Sequence, residues 1–159
     1  FKQPKDCKCI FCDAVEQNID DDDCLVVYKS KYCFVILNLY PYNNGHLMIV
    51  PYRHVSEFTL LSQEEKIEMM DMVDLSMKAM ENKMLAQGFN MGANIGKAAG
   101  AGIDDHLHIR PGVILSLAFC EIALVDSQGL AEYSAGSSVK SKLLPTIHRK
   151  VIALGTGRC

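Results

Sequence analysis

The sequence predicts an α+β domain: a mostly antiparallel sheet covered on one face by one long helix. Three observations carry that expectation. Short apolar runs bounded by turn residues fill positions 25 to 50. Residues 62 to 84 then repeat apolar side chains at steps of three and four. Further extended segments, divided by glycines, follow that stretch. Hairpin, strand, long helix, strand, glycine loop, strand is an α+β order.

Each element has its own signal. Leu25 to Tyr28 and Tyr32 to Leu39 are apolar runs split by Lys29-Ser30-Lys31, which reads as a hairpin. Pro41-Tyr42-Asn43-Asn44-Gly45 is a turn, and His46 to Val50 is a third strand closed by Pro51. Ser62 followed by Glu65 makes a capping box. The series Ile67, Met70, Val73, Met77, Met80 and Met84 predicts the stripe that this helix turns to the core. Its methionines read as packing. Gln87-Gly88 is a helix end. Phe89 to Ile95 reads as a strand, residues 96–102 as a glycine loop, and Asp105 to Ile109 as extended chain.

Composition bounds what this domain can do. A chain of 159 residues with 49% hydrophobic and 22% charged side chains builds one ordinary core and is not a disordered polymer. A net charge of -3 argues against a protein held by the phosphates of long nucleic acid, although one small phosphorylated ligand needs only local positive potential. The longest apolar stretch, Val113 to Val125, is too short to span a bilayer and contains Glu121. No basic leader with an apolar core is seen, and seven cysteines cannot all pair. A cytoplasmic protein with thiols or metal ligands is the expectation.

The charge is uneven along the chain. Residues 1–111 carry 16 acidic and 11 basic groups, a net of -5, whereas 112–159 carry 3 and 5, a net of +2. That break divides the chain into a domain over 1–110 and an atypical tail over 111–159.

Just before the break stands Gly102-Ile103-Asp104-Asp105-His106-Leu107-His108-Ile109-Arg110. Alternation along an extended segment puts His106, His108 and Arg110 on one face. Histidines at otherwise apolar strand positions cost desolvation unless something binds them. Two core histidines satisfied by hydrogen bonds are the plainer reading. The upstream glycines favour another, because Gly96, Gly100 and Gly102 let backbone N–H groups approach an anion. A neutral imidazole beside such a loop can attack phosphorus and divide one displacement into two.

A second cluster is Cys7-Lys8-Cys9-Ile10-Phe11-Cys12. Cys9 and Cys12 have the spacing of a metal knuckle or a redox pair. No strand precedes them as a redox pair normally requires, so zinc is the better fit. Cys7 with Cys12 is a less regular alternative. Zinc needs two further ligands, and His54 and His106 are the best placed.

Together these segments resemble the histidine triad (HIT) superfamily, in its zinc-containing branch acting on diadenosine polyphosphates. The resemblance rests on Cys9-Ile10-Phe11-Cys12, Leu37-Asn38, the run from Asn43 to Pro51, Arg53-His54-Val55, Asn94-Ile95-Gly96, Ala99 to Ile103 and His106-Leu107-His108-Ile109, spanning about residues 7 to 110. It implies a HIT-like fold whose sheet extends across a homodimer. It implies that His108 is the nucleophile on the α-phosphorus and His46 a histidine close to it. It makes Cys9, Cys12, His54 and His106 ligands of a structural zinc. It gives Asn38 to the ribose and Asn94 to phosphate, beside Gly100 and Gly102. The reaction implied is cleavage of nucleoside phosphate anhydrides through a nucleotidyl-histidine, with water or phosphate as acceptor.

The pattern then departs. Arg110 stands where the third histidine belongs, and no tryptophan follows. A guanidinium holds phosphate oxygens well but gives up no proton. An impaired nucleotide-binding protein is therefore a competing expectation. A shift of reading frame near residue 110 competes with a genuine Arg110, and the tail is expected to be a strand from Val113 to Val125 or in part unordered. Pro111 argues against a continuing central strand.

Overall fold

The computed structural model describes residues 9–41, 45–84 and 86–114. Their order is α1 (Ile10–Glu16), β1 (Val26–Lys29), β2 (Cys33–Leu37), β3 (Leu47–Pro51), α2 (Gln63–Met84), β4 (Gly88–Gly92) and β5 (Arg110–Ile114), with 3-10 turns at Phe58–Leu60 and Lys97–Ala99. β1, β2 and β3 form an antiparallel sheet in sequence order. β4 and β5 form an antiparallel pair running from Gly88 opposite Ile114 to Gly92 opposite Arg110. Ile49 and Ile109 join the two. Each donates its N–H to the other's carbonyl, at 2.8 and 3.0 Å.

The strands β2 and β3 are buried along their whole length because both faces are covered. Cys33, Val35, Leu37, Leu47 and Ile49 face α2 and pack with Met69, Met72, Val73, Ala79 and Met80. The alternating residues Phe34, Ile36, Met48 and Val50 pack with Cys9, Phe11, Cys12 and Ala14 around α1. The expected helix cover is present on one face, and a short helix that the sequence did not announce covers part of the other. Cys9 caps α1 with no side-chain hydrogen bond.

The start of α2 is held as the capping box requires. Glu65 N–H donates to Ser62 Oγ at 3.2 Å, and Ser62 N–H donates to Glu65 Oε2 at 2.7 Å. Arg53 adds two bonds to the same carboxylate, from Nε and Nη2, each at 2.7 Å. The Arg53 guanidinium holds the Glu65 carboxyl below its ordinary range. This ties the segment after β3, which carries His54, to the helix.

Four expectations need correction. The core stripe of α2 is rotated: Glu65, Met69, Met72, Val73, Leu75, Ser76, Ala79 and Met80 are buried, while Ile67 and Met70 are 54% and 46% exposed. Apolar residues on both sides of this helix make two stripes readable, and the sheet selects one. The helix ends no later in its described part than Met84, and Gly88 opens β4 instead of closing the helix. Residues 105–108 are not strand, since pairing resumes at Ile109. Pro111 does not stop the ladder, because β5 passes through it with Pro111 opposite Met91. An antiparallel ladder asks each residue's N–H of a given partner only at every second position, so a strand can carry a proline. Cys7 and residues 115–159 lie outside the described residues, and with them the expected strand to Val125 and the rest of the tail.

Candidate active site

His106, His108 and α1 meet on the sheet face away from α2. Phe11, fully buried, packs edge-on against His106 with centroids 5.4 Å apart and tilted against His108 at 5.2 Å. The two imidazoles therefore flank one aromatic ring that α1 delivers.

The side chains of Cys9, Cys12, His54 and His106 converge, with all four donor atoms within 4.8 Å of one another. Cys9 Sγ lies 3.3 Å from His106 Nδ1, Cys12 Sγ 3.4 Å from His54 Nδ1, and Cys12 Sγ 3.7 Å from His106 Nδ1. A tetrahedral zinc with ordinary Zn–S and Zn–N bonds has sulfur–nitrogen edges of about 3.6 Å. Two sulfurs and two imidazole nitrogens at these separations fit that ion well. The outer nitrogens agree. His106 Nε2–H donates to the Pro51 carbonyl at 2.9 Å, which leaves its lone pair on Nδ1, facing the sulfurs. His54 Nε2 is 3.6 Å from Asp105 Oδ2. Burial pushes the His106 imidazole down to about 4, so it is neutral, as a ligand must be.

His108 is 6% exposed, and its Nδ1–H donates to the His106 carbonyl two residues back, at 3.0 Å. That bond puts the lone pair on Nε2. Burial, and then the Arg110 charge, hold the imidazole below its ordinary range and hence neutral at neutral pH. His46, just before β3, is 6% exposed, and its carbonyl accepts the Asn38 N–H at 2.9 Å. Burial, then Arg110 and His108, lower its pKa as well.

The remaining expected residues lie around that group. Asn38 follows β2, and its side-chain amide is 3.3 Å from His46 Nδ1. Asn94 Nδ2 donates to the Gly100 carbonyl at 3.2 Å, bracing the glycine loop across its base. Gly100 has φ +73 and Gly96 φ +78, values that side chains resist. Gly102 has no such backbone and is exposed, with open space where a Cβ would stand. The loop leaves from Gly92, which pairs with Arg110, and Ile103 at its far end packs on the α1 face.

Sequence reasoning missed Phe11, the Pro51 carbonyl and Asp105 as members of this site. The position of Phe11 between two metal-spaced cysteines was the available signal. Main-chain acceptors leave no signal in a sequence. Cys33 is the opposite case: burial and Glu68 push its thiol up, which makes it an inert core residue.

An antiparallel sheet with a long helix behind it, and a paired-histidine segment beside a two-cysteine, two-histidine cluster in front, define a histidine triad type of domain. The HIT domain family matches residues 20–112, and the chain belongs to that family. It is 43% identical over 92 residues to the AP-4-A phosphorylase of Mycobacterium tuberculosis, a match covering 58% of this chain and 47% of that protein. It is 30% identical over 104 residues to the adenylylsulfatase HINT3 of Arabidopsis thaliana, covering 65% of this chain and 51% of the relative. The chain thus spans about half the length of these relatives. In structure it resembles a Zn-bound histidine triad family protein from Mycobacterium smegmatis, with a TM-score of 0.58, 19% identity and coverage of 95% and 98%.

Proposed function

We propose that this chain transfers a nucleotidyl group from a nucleoside polyphosphate, such as a diadenosine polyphosphate, to water or phosphate through a covalent adduct on His108. The observation that carries the reading is the His108 tautomer. Its Nδ1–H is committed to the His106 carbonyl, so a neutral imidazole presents Nε2 as the nucleophile. Attack forms a nitrogen–phosphorus bond and expels the rest of the substrate. The acceptor then breaks that bond and restores the imidazole. In this reading Arg110 supports oxygen charge on phosphorus, Asn38 takes the ribose, and Asn94, Gly100 and Gly102 take the phosphates.

A zinc ion held by Cys9, Cys12, His54 and His106 supplies structure, tying α1 to the histidine segment and so fixing Phe11 against His108. The partner this reading takes is a second copy of the chain, paired along β4, whose other edge carries no strand among the described residues and whose Met91 is 50% exposed. Neither long nucleic acid nor a membrane belongs to it, and no described helix is long and apolar enough to cross a bilayer.

Two other readings have specific support. Phosphate as acceptor is favoured by the 43% identical phosphorylase. A nucleotide-binding protein with impaired turnover is favoured by Arg110 at the third position. Incubation with diadenosine tetraphosphate, with and without inorganic phosphate, separates the three. Water yields nucleoside monophosphate, phosphate yields the diphosphate, and a binding protein yields neither product nor adduct on His108.

A further inference from the structure

The proton inventory around His108 carries an inference that rests on the proposed nucleotidyl transfer and narrows its substrates. Asn38 is the starting point. Its Oδ1 accepts the Tyr40 N–H at 3.0 Å, which fixes which end of the amide faces where. The Nδ2 end therefore faces His46 Nδ1, at 3.3 Å. An amide nitrogen only donates, so Nδ1 must accept, and the ring proton sits on Nε2. A proton added at Nδ1 would confront the amide hydrogens. His46 is thus held as a neutral ring whose proton sits on Nε2.

Arg110 follows two residues after His108 and stands in β5 opposite Gly92. A guanidinium also donates hydrogen bonds and keeps its protons. His106 has both nitrogens engaged, with Pro51 and with the cysteine sulfurs. Among the described residues, the groups gathered here stabilise negative charge and none is built to hand over a proton.

We propose that Asn38 is a positioning residue that fixes His46 as a neutral donor, so that His46 and Arg110 stabilise a departing oxyanion without protonating it. The site then selects substrates whose leaving group departs as a stable anion, such as a phosphate anhydride. It discriminates against phosphoramidates and alkyl phosphoesters. In the first step the His108 Nε2 lone pair forms the bond to phosphorus, and the bond from phosphorus to the bridging oxygen breaks. That electron pair leaves on the oxygen as the anion. The Nδ1 proton stays on His108, against the His106 carbonyl. An amine or alkoxide leaving group needs a proton in the same step, and its absence raises the barrier.

The test uses the full chain with aryl esters of adenosine 5′-monophosphate graded by phenol acidity, together with adenosine 5′-phosphoramidate. The expected result is that kcat/KM falls roughly tenfold for each unit of leaving-group pKa, with the phosphoramidate slowest. Asn38→Asp replaces the donor with an acceptor and lets Nδ1 carry a proton, and Arg110→His introduces a group that can release one. Both variants are expected to flatten the dependence to roughly threefold or less per unit and to gain on the phosphoramidate. Nitrogen-15 spectra of the histidine rings provide a readout independent of turnover. His46 protonated on Nε2 alone at neutral pH is expected, and a proton on Nδ1 overturns the inference whatever the kinetics. A flat dependence in the native chain overturns it too. If no ester or anhydride reacts and His108 takes up no nucleotide while His46 shows the expected tautomer, nucleotidyl transfer itself fails, and the leaving-group rule falls with it.

Discussion

The Phe11 ring stands 5.2 Å from the His108 imidazole, centroid to centroid, and 5.4 Å from that of His106. One side chain from the metal-spaced helix thus sets the position of a cluster histidine and of the proposed nucleophile. Removing it should be felt in both places. Phe11→Ala is expected to cost about 3–5 kcal/mol of stability, as the loss of a buried aromatic does. Phe11→Leu should keep most of the stability yet loosen His108. Denaturant titration measures the first effect, and turnover per metal-loaded protein the second.

His108→Ala should retain the fold and abolish covalent chemistry. The ring is buried at one end of the cluster, and its removal leaves the cysteines and His106 in place. Mass spectrometry after mixing with diadenosine tetraphosphate should find a nucleotidyl adduct on the native chain and none on the variant. An adduct that persists would place the nucleophile elsewhere.

One zinc per chain is expected, and a chelator should lower the thermal midpoint. Cys12→Ser should lose most of the ion, since Cys12 Sγ is close to both imidazoles of the cluster. Asp105→Asn is a milder case. Its carboxylate sits 3.6 Å from the outer nitrogen of His54, and outer partners of this kind tune metal affinity. A loss of about tenfold in affinity is expected, read by competition against a coloured chelator. Unchanged affinity would assign Asp105 to solvent.

The Glu65 carboxylate gives a pH signature in stability. Its folded pKa lies below the ordinary 4.5, first because of Arg53. The carboxylate contribution is therefore complete above the unfolded value and is lost as pH falls through the lowered folded one. Unfolding free energies of the native chain and Glu65→Gln should differ by a constant amount above about pH 5 and converge below it. Ser62→Ala, which removes the other half of the box, should cost about 1 kcal/mol with a weaker pH dependence, because the Ser62 hydroxyl is only a lesser cause of the lowered Glu65 value.

Much of this was readable from residue order. Alternation and turn residues gave β1 to β3 to within a residue or two, because two-sided burial makes their apolar runs unmistakable. The capping box located the start of α2 from two side chains. The cysteine spacing pointed to a metal site with His54 and His106 as the best-placed further donors, and the family resemblance implied the four side chains that converge in the fold. Other features were hidden for identifiable reasons. α1 has seven residues and no capping side chain, too little for periodicity to register. The face of α2 was ambiguous because Ile67 and Met70 continue a plausible stripe that the sheet leaves exposed. The tautomers of His46, His106 and His108 depend on Asn38 and on main-chain carbonyls, which only the folded chain brings close.

Gly45 has φ +73, and a β-carbon there would stand 2.8 Å from the Met84 sulfur and 3.2 Å from that of Met80. The residue just before His46 thus passes beneath the last turn of the long helix, where the methionine ends would have to shift for a side chain and the positive φ favours glycine. Directed evolution toward new substrates would find this position restricted: a saturated codon at 45 should return mostly glycine, with asparagine the next most tolerated.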